Sequence, residues 1–424
     1  MISIKVKAGA LQLTLFIAIV IALLLFSFIL FINTQKKFSK QSDLIVKTVE
    51  LADNGITYGL LNELPLKDST VVDQLEEYKN LIVHRDFWGV FERISSVATI
   101  KNNTFKKVSL IGGIQDIKDN RACLYLKDSN NPLIVVGNTH VEGIANLPKQ
   151  GVKSGNIDGH SYYGTQLVYG STKYSASFPN LSNELLNHLK SVDRGNYDNK
   201  SLIELNGNSS LKNSFLADQK VIYSVTPIVL SNSSLTGKII IQSKAKITVE
   251  NNTKLNDVLL IAPEIQIKDF VRGNFQAIAT KNITIGKKVE LEYPSALALM
   301  DSNDASSPEA NTVPLEDHSI VIDEDSTVKG IVLYYDDSEA NNFNAQVNIG
   351  LNTRIFGEVY CNKNLELNGS VYGTVYTNNF ITKKSGSIYQ NHLYNAEINI
   401  NKLSEFYVGL PLSINEKNVA KWLY

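Results

Sequence analysis

The chain has 424 residues, of which 43% are hydrophobic and 20% are charged, a composition typical of a globular protein and unlike that of a disordered or collagen-like chain. This length exceeds one compact core and predicts two or three folding units or one elongated repeat body. The 41 basic and 42 acidic residues give a net charge of -1, which argues against a broad nucleic-acid-binding surface.

The sequence contains two cysteines, Cys123 and Cys361, and neither lies in a CxxC pair or in a Cys/His metal spacing. Two cysteines exclude a disulfide scaffold, although one bridge between them is left open. We interpret both as small buried apolar residues.

The first predicted element, within residues 1–35, is a short basic leader followed by a transmembrane helix. No charged residue occurs from Ala8 to Gln35, and the stretch from Leu13 to Ile32 is almost entirely Leu, Ile, Val, Phe and Ala. Because about 20 apolar residues cross a bilayer core, we expect this helix to insert and to be retained. A cleavable secretory signal is the alternative, but its apolar region is only about 7 to 15 residues long.

The charges that flank this helix do not decide its orientation, because Lys5 and Lys7 precede it while Lys36, Lys37 and Lys40 follow it. We expect the short N-terminus inside the cytoplasm. The large C-terminal domain is then periplasmic or extracellular, since its Asn-, Ser- and Gly-rich strands are typical of an exported body.

Residues 36–104 are predicted to form an amphipathic helical stalk. Apolar residues recur in steps of three and four from Ile45 to Leu60, which continues the membrane helix until Pro65 stops it. A second helix is predicted between Thr70 and Ile94, with a capping residue at its start and an apolar stripe along one side.

The basic leader that ends at Gly9, the apolar helix that follows Ala10, and the stretch from Glu50 to Gly59 together resemble the N-terminus of minor pilins and pseudopilins of type IV pilus and type II secretion systems. The resemblance covers about residues 1–60. It implies that a prepilin peptidase cleaves after Gly9, so that Ala10 becomes the mature N-terminus, and that the helix packs into a filament or its tip. The fifth mature position is Thr14, where most such pilins carry a glutamate, although some tip-type members also lack it.

Strand patterns dominate the rest of the chain, as short runs of Ile, Val, Leu and Tyr separated by Gly, Asn, Asp and Ser. We predict a first β-rich segment at 105–180, a short helix capped by Ser182 and a linker at 181–216, a parallel β-helix with insertions at 217–402, and a C-terminal cap or tail at 403–424.

An internal repeat supports the β-helix. The segments Arg354 to Tyr360 and Ser370 to Tyr376 share one pattern of apolar, aromatic, Gly, polar, Val and Tyr residues. This spacing suits one turn of a right-handed parallel β-helix, in which each short strand buries its apolar face on the next coil and glycines stack. A β-sandwich is the alternative, but the self-similarity favours the helix. The predicted fold class is therefore mainly β, with a β-helix body preceded by a transmembrane helix and a helical stalk.

The segment from Val347 to Tyr376 resembles bactofilins, which are polymer-forming bacterial proteins built as a compact parallel β-helix. The resemblance implies a structural body that assembles end to end and carries no catalytic residues. Bactofilins are cytoplasmic or membrane-associated scaffolds.

Motifs for catalysis are absent from the sequence: the six histidines are scattered singly, and no nucleophile elbow, Walker loop or dinucleotide fingerprint occurs. One alternative is an acidic site, because β-helix carbohydrate enzymes use clustered carboxylates for acid-base chemistry or calcium binding. The candidate residues form two pairs, Asp323 with Asp325 and Asp336 with Asp337. Both pairs lie where turns or an insertion are expected, and turns favour Asp. We therefore assign no catalytic, cofactor-binding or metal-ligating residue.

These patterns predict a non-enzymatic structural or assembly protein of the bacterial cell envelope, anchored in the cytoplasmic membrane by a single span. Its partners would be proteins of an envelope assembly, with homo-oligomers among them, and no nucleic acid. One alternative is a membrane-tethered protein whose β-helix binds or cleaves carbohydrate. The other is a cytoplasm-facing, bactofilin-like scaffold.

Overall fold

The computed structural model describes residues 8–72, 78–114, 121–175, 177–194, 202, 210–301, 318–338, 343–413 and 416–423. Within these residues the chain is mainly β, as predicted, with a long N-terminal helix α1 (Ala8–Leu61) and a short helix α2 (Asn183–Ser191). Short 3-10 turns occur at Val192–Arg194 and Ile400–Lys402.

The strands, in chain order, are β1 (Ser69–Val71), β2 (Lys79–Trp88), β3 (Phe91–Ile100), β4 (Asn103–Ile114), β5 (Ala122–Leu126), β6 (Leu133–Val136), β7 (His140–Glu142), β8 (Ile144–Leu147), β9 (Val152–Ser154), β10 (Asn156–Ile157), β11 (His160–Ser161), β12 (Thr172–Tyr174), β13 (Ser210–Asn213), β14 (Lys220–Ser224), β15 (Ile228–Leu230), β16 (Ser234–Gly237), β17 (Ile239–Ser243), β18 (Lys246–Val249), β19 (Lys254–Ile267), β20 (Arg272–Ile285), β21 (Glu290–Asp301), β22 (Ser319–Ile322), β23 (Thr327–Asp336), β24 (Val347–Ile349), β25 (Arg354–Leu367), β26 (Ser370–Lys384), β27 (Ser387–Gln390), β28 (His392–Tyr394), β29 (Glu397–Asn399) and β30 (Glu416–Leu423).

Helix α1 is one continuous rod of 54 residues. At 1.5 Å per residue it is about 81 Å long. It ends at Leu61, ahead of Pro65, whose ring and missing N–H do not fit a helix interior. The predicted continuation of the apolar helix into an amphipathic one is therefore confirmed.

An antiparallel sheet, which we call the head sheet, packs on the second half of α1. Its strand order is β1-β2-β3-β4-β30, and β2 and β3 form a hairpin in which Trp88 lies opposite Phe91. The prediction of a second helix between Thr70 and Ile94 is wrong, because the described residues of this stretch form strands. Buried and half-exposed side chains alternate along β2, which is the period of a strand, and Gly89 takes φ +66° in the turn.

Strands β5 to β29 form a second region, which we call the body, and most of them join a closed network of mainly parallel pairs. Strands β25 and β26 pair in parallel, with Arg354 opposite Ser370 and Tyr360 opposite Tyr376, so the two copies of the sequence repeat match position by position. Parallel pairing differs from the antiparallel pairing of a β-sandwich.

Glycines stack on one another across three neighbouring strands of the body. Gly330, Gly357 and Gly373 have φ of +143°, +149° and +155°. A Cβ on Gly373 would lie 1.8 Å from the carbonyl oxygen of Gly357, and one on Gly357 would lie 1.9 Å from that of Gly330. Only glycine fits there, because the backbone of the next strand occupies the space. The predicted stack of glycines is confirmed.

The body is an insertion in the head sheet. After β4 the chain forms β5 to β12, and β5 pairs with β26 through Leu124 opposite Val375. Helix α2 follows, and the Ser182 hydroxyl caps it by accepting a 3.3 Å hydrogen bond from the Leu185 N–H. Pairs that are parallel except for β26 with β27 then lead from β13 to β29, and the chain returns as β30 beside β4. The region 403–424, predicted as a cap or tail, thus contributes a strand to the head sheet.

Three apolar clusters hold these parts together. The first fills the interior of the body and contains Cys123 and Cys361, both free and buried, as interpreted from the sequence. The second lies between the body, α2 and the head sheet, with Phe91 and Tyr360 among its members. The third joins α1 to the head sheet around Ile56.

Candidate functional site

The first half of α1 is an exposed apolar surface. From Leu11 to Ile32 its large apolar side chains are 37% to 72% exposed. By length and composition this stretch can cross a membrane, with a mean hydropathy of 3.3 over its most apolar window. An apolar surface of this size is stable in contact with lipid or with other helices rather than with water. A single apolar N-terminal helix thus fits the expected membrane anchor.

The predicted processing site lies at the start of α1. Gly9 and Ala10 are both exposed, and among the described residues no other part of the fold lies within 4 Å of the place where a Cβ on Gly9 would stand.

The second half of α1 lies against the head sheet at very short range because two glycines face β3. A Cβ on Gly55 would lie 2.1 Å from the Ser96 Oγ, and one on Gly59 would lie 2.8 Å from the Ile94 Cδ1. Ile56, between them, is 1% exposed. The spacing of Gly55 and Gly59, one helical turn apart, is a signal in the sequence from which this close approach could have been predicted.

Charged side chains tie the head sheet to α2. The buried Arg85 of β2 donates from Nε to Glu92 Oε2 at 2.8 Å and from a terminal nitrogen to Glu184 of α2 at 3.2 Å. Lys417 of β30 bonds Glu92 at 2.9 Å. Burial alone would raise the pKa of Glu92, but the hydrogen bonds and charges of Arg85 and Lys417 outweigh it and lower that pKa.

A buried glutamate lies at the seam where the body meets the head sheet. The Leu410 N–H donates to Glu358 Oε2 at 2.6 Å, and Gly409 exchanges backbone hydrogen bonds of 2.8 and 3.0 Å with Gly113 of β4. Burial raises the pKa of Glu358 to about 7, opposed by the Leu410 N–H and the charge of Arg121. The seam therefore contains a carboxyl group that changes charge near neutral pH.

The first predicted acidic pair lies in a turn of the body. Asp325 has φ +60°, and its Oδ1 accepts a 3.2 Å hydrogen bond from Asn352 of the next turn. The carbonyl of Asp323 accepts a 2.6 Å hydrogen bond from the Thr353 hydroxyl. These contacts are those of turn residues.

The second acidic pair lines a cleft. Asp336 Oδ2 lies 3.3 Å from Lys363 Nζ, and Asp337 pairs with Lys190 of α2. Each carboxylate thus has a cation beside it. Among the residues that the structure describes, no group of three or more His, Cys, Asp and Glu side chains is placed to hold a metal ion.

The cleft beside Asp336 has a volume of about 670 Å³ and a polar lining. Its amide-bearing residues are Asn131, Asn362, Asn364, Asn378, Asn379 and Gln390. The walls also include Lys127 and Asp128, from the segment that follows β5, because β5 pairs with β26. The cleft could not be predicted from the sequence, since its two walls are distant in the chain and meet through that strand pair.

Comparisons with known proteins leave the family of this chain undefined. No family model matches it, and no curated protein matches it. Among solved structures it is similar to the competence-associated pilin ComZ from Thermus thermophilus, with 9% sequence identity over 90% of this chain and 97% of that one. The TM-score of 0.25 is too low for this likeness to define the fold or the function.

Proposed function

We propose that this protein is a non-enzymatic, pilin-like assembly component whose helix α1 anchors it in the cytoplasmic membrane and packs against neighbouring subunits in a filament, a filament tip or a secretion apparatus. The observation that carries the proposal is the division of α1. Its first half is exposed and apolar, whereas its second half buries one face, around Leu51 and Ile56, on an antiparallel sheet. One rod thus joins a lipid-compatible surface to a folded head.

We infer further that the body is a right-handed parallel β-helix presented outside the membrane. The parallel registers of Thr327 with Arg354 and of Arg354 with Ser370 support stacked coils, and the stack from Gly330 to Gly373 supports their tight spacing. In this arrangement the head sheet holds both ends of the inserted body, through β4 and β30, so the body is displayed as one unit.

The resemblance of α1 to pilins also implies processing, and this is the first test. Purified protein from cells that contain a prepilin peptidase should begin at Ala10. The variant Gly9→Val should keep Met1, because a branched side chain blocks the residue before the cleaved bond. The matched control Ala22→Val, in the membrane segment, should be processed normally. An intact Met1 in the unaltered protein would remove the pilin part and leave the anchor.

The orientation has its own test. Protease added to spheroplasts should degrade the body before lysis if the body lies outside the cytoplasm. Protection until lysis would instead support the cytoplasm-facing, bactofilin-like scaffold. The same experiment on a variant without residues 8–35 supplies the control, since that protein should stay protected in the cytoplasm.

A further inference from the structure

We propose that the polar cleft of the body binds an extended, uncharged glycan chain laid across the strands β23, β25, β26 and β5. This inference does not depend on processing or assembly through α1. It rests on the spacing of the cleft's polar side chains, on their hydrogen-bonding capacity, on one exposed aromatic ring and on the charge balance.

The floor of the cleft is a row of polar positions on neighbouring strands. Asp336 ends β23, Asn362 lies in β25, Asn378 lies in β26, and Lys127 follows β5. Neighbouring strands are about 4.8 Å apart, so three steps span roughly 14 Å. Each sugar ring lengthens an extended glycan by a distance close to one strand spacing. Each strand can therefore meet one ring.

The amides of this row are held in place by the next strand and keep bonding capacity for a ligand. Asn362 accepts from the Asp336 N–H at 3.0 Å and donates to its carbonyl at 2.8 Å. Asn378 donates to the carbonyl of Asn362. A side-chain amide has two N–H donors and two acceptor lone pairs, so these contacts use only part of each group. Both residues are half-buried, which leaves one side towards the cleft.

An aromatic ring stands in the wall of the cleft. Phe343 is 60% exposed, so much of its apolar ring is in contact with water. The apolar face of a sugar packs well on an aromatic ring through C–H contacts, while the sugar hydroxyls bond to amides. Amides on the floor and a ring in the wall match the two chemically different sides of a sugar.

The charges of the cleft favour an uncharged ligand. Asp336 is paired with Lys363 and Asp337 with Lys190. Lys127 and Asp128, which are neighbours in the chain, add one charge of each sign to the walls. The cleft thus carries charges of both signs and presents no field of one sign to an anionic or a cationic polymer, whereas a neutral glycan leaves both ion pairs in place.

The test is calorimetric titration of the full chain with cellotetraose, maltotetraose and tetra-N-acetylchitotetraose, and with a tetrapeptide of glycine and serine whose two ends are blocked, so that every probe is uncharged. The protein is kept in a zwitterionic detergent, because alkyl glycosides would present sugar to the same cleft. At least one glycan should bind saturably. Phe343→Ala and Asn378→Ala should each weaken that binding by about tenfold, equivalent to about 1.4 kcal/mol.

The matched control is Phe270→Ala, because Phe270 is 57% exposed and lies elsewhere on the body. It should leave glycan affinity unchanged, and unchanged thermal unfolding of the variants shows that they fold. Saturable binding of none of the three glycans would overturn the proposal. Glycan affinities of the Phe343→Ala and Asn378→Ala variants equal to that of the unaltered protein would overturn it as well, and so would binding of the tetrapeptide instead of a glycan.

Discussion

The backbone N–H of Leu410 donates a 2.6 Å hydrogen bond to Glu358 Oε2, and Glu358 is 1% exposed at the seam between the body and the head sheet. Tyr407, three residues before Leu410, donates from its hydroxyl to the Gly330 carbonyl at 2.8 Å. The segment that leads back to β30 is therefore bonded to two strands of the body, and one of those bonds involves an ionisable group.

The first prediction concerns the pH dependence of this seam. The pKa of Glu358 is about 7 in the folded state against an ordinary 4.5, so the folded state binds the proton more tightly than the unfolded state. The contribution of Glu358 to the free energy of unfolding should be fully present below about pH 4.5. That contribution should be lost as the pH rises from there to about 7. The whole loss is roughly 3 kcal/mol.

Urea unfolding of the detergent-solubilised protein at several pH values checks this. The variant Glu358→Gln, which stays neutral and can still accept from Leu410, should lack that part of the slope. Glu405→Gln, at an exposed position, is the control and should keep it. A wild-type slope that survives in Glu358→Gln would contradict the assignment.

The second prediction concerns the glycine stack. Gly373→Ala should destabilise the body by at least about 3 kcal/mol, because the new Cβ would meet the Gly357 carbonyl at 1.8 Å with a φ of +155°. Gly386→Ala is matched to it, since φ there is also positive, at +79°, but among the described residues no atom beyond its chain neighbours lies within 4 Å of the added Cβ. It should cost about 1 kcal/mol. Thermal unfolding measures both, and equal losses would show that the close contact is unimportant.

The third prediction concerns the contact of α1 with the head sheet. Gly55→Leu should lift the helix from β3, because even its Cβ would reach the Ser96 side chain. We expect a loss of about 2 to 4 kcal/mol and rapid proteolysis after the helix. Thr57→Leu, exposed on the same helix, should change stability by less than about 0.5 kcal/mol. Equal proteolysis of the two variants would contradict the close packing.

The fourth prediction concerns the buried ion pair. Glu92→Gln leaves Arg85 and Lys417 without their shared carboxylate and should cost about 3 kcal/mol. The pair of Arg272 with Glu290 has a similar distance of 3.0 Å but is exposed. Glu290→Gln should therefore cost no more than about 1 kcal/mol. Denaturant unfolding separates the two, and a small loss in Glu92→Gln would show that Glu184 alone satisfies Arg85.

Local features could be predicted from the sequence because their cause is local. An unbroken apolar run makes α1 helical, and the Ser182 hydroxyl caps α2 from within its own first turn. The copies at Arg354 and Ser370 pair because their equal spacing brings residues of similar character together. The hairpin around Gly89 was missed for the opposite reason. Its apolar positions satisfy helical and strand spacing alike, and only a sheet partner that covers one face decides between them.

By itself, the sequence determined the apolar helix, the predominance of strands and the matched repeat, because each depends on residues close together in the chain. Only the tertiary structure decided that β30 completes the head sheet beside β4, that Glu358 is buried against Leu410, and that Asn378 and Lys127 share one cleft. These relationships join residues that are far apart in sequence. Pairing between distant strands depends on which apolar faces cover each other in the whole fold, and no local pattern carries that information.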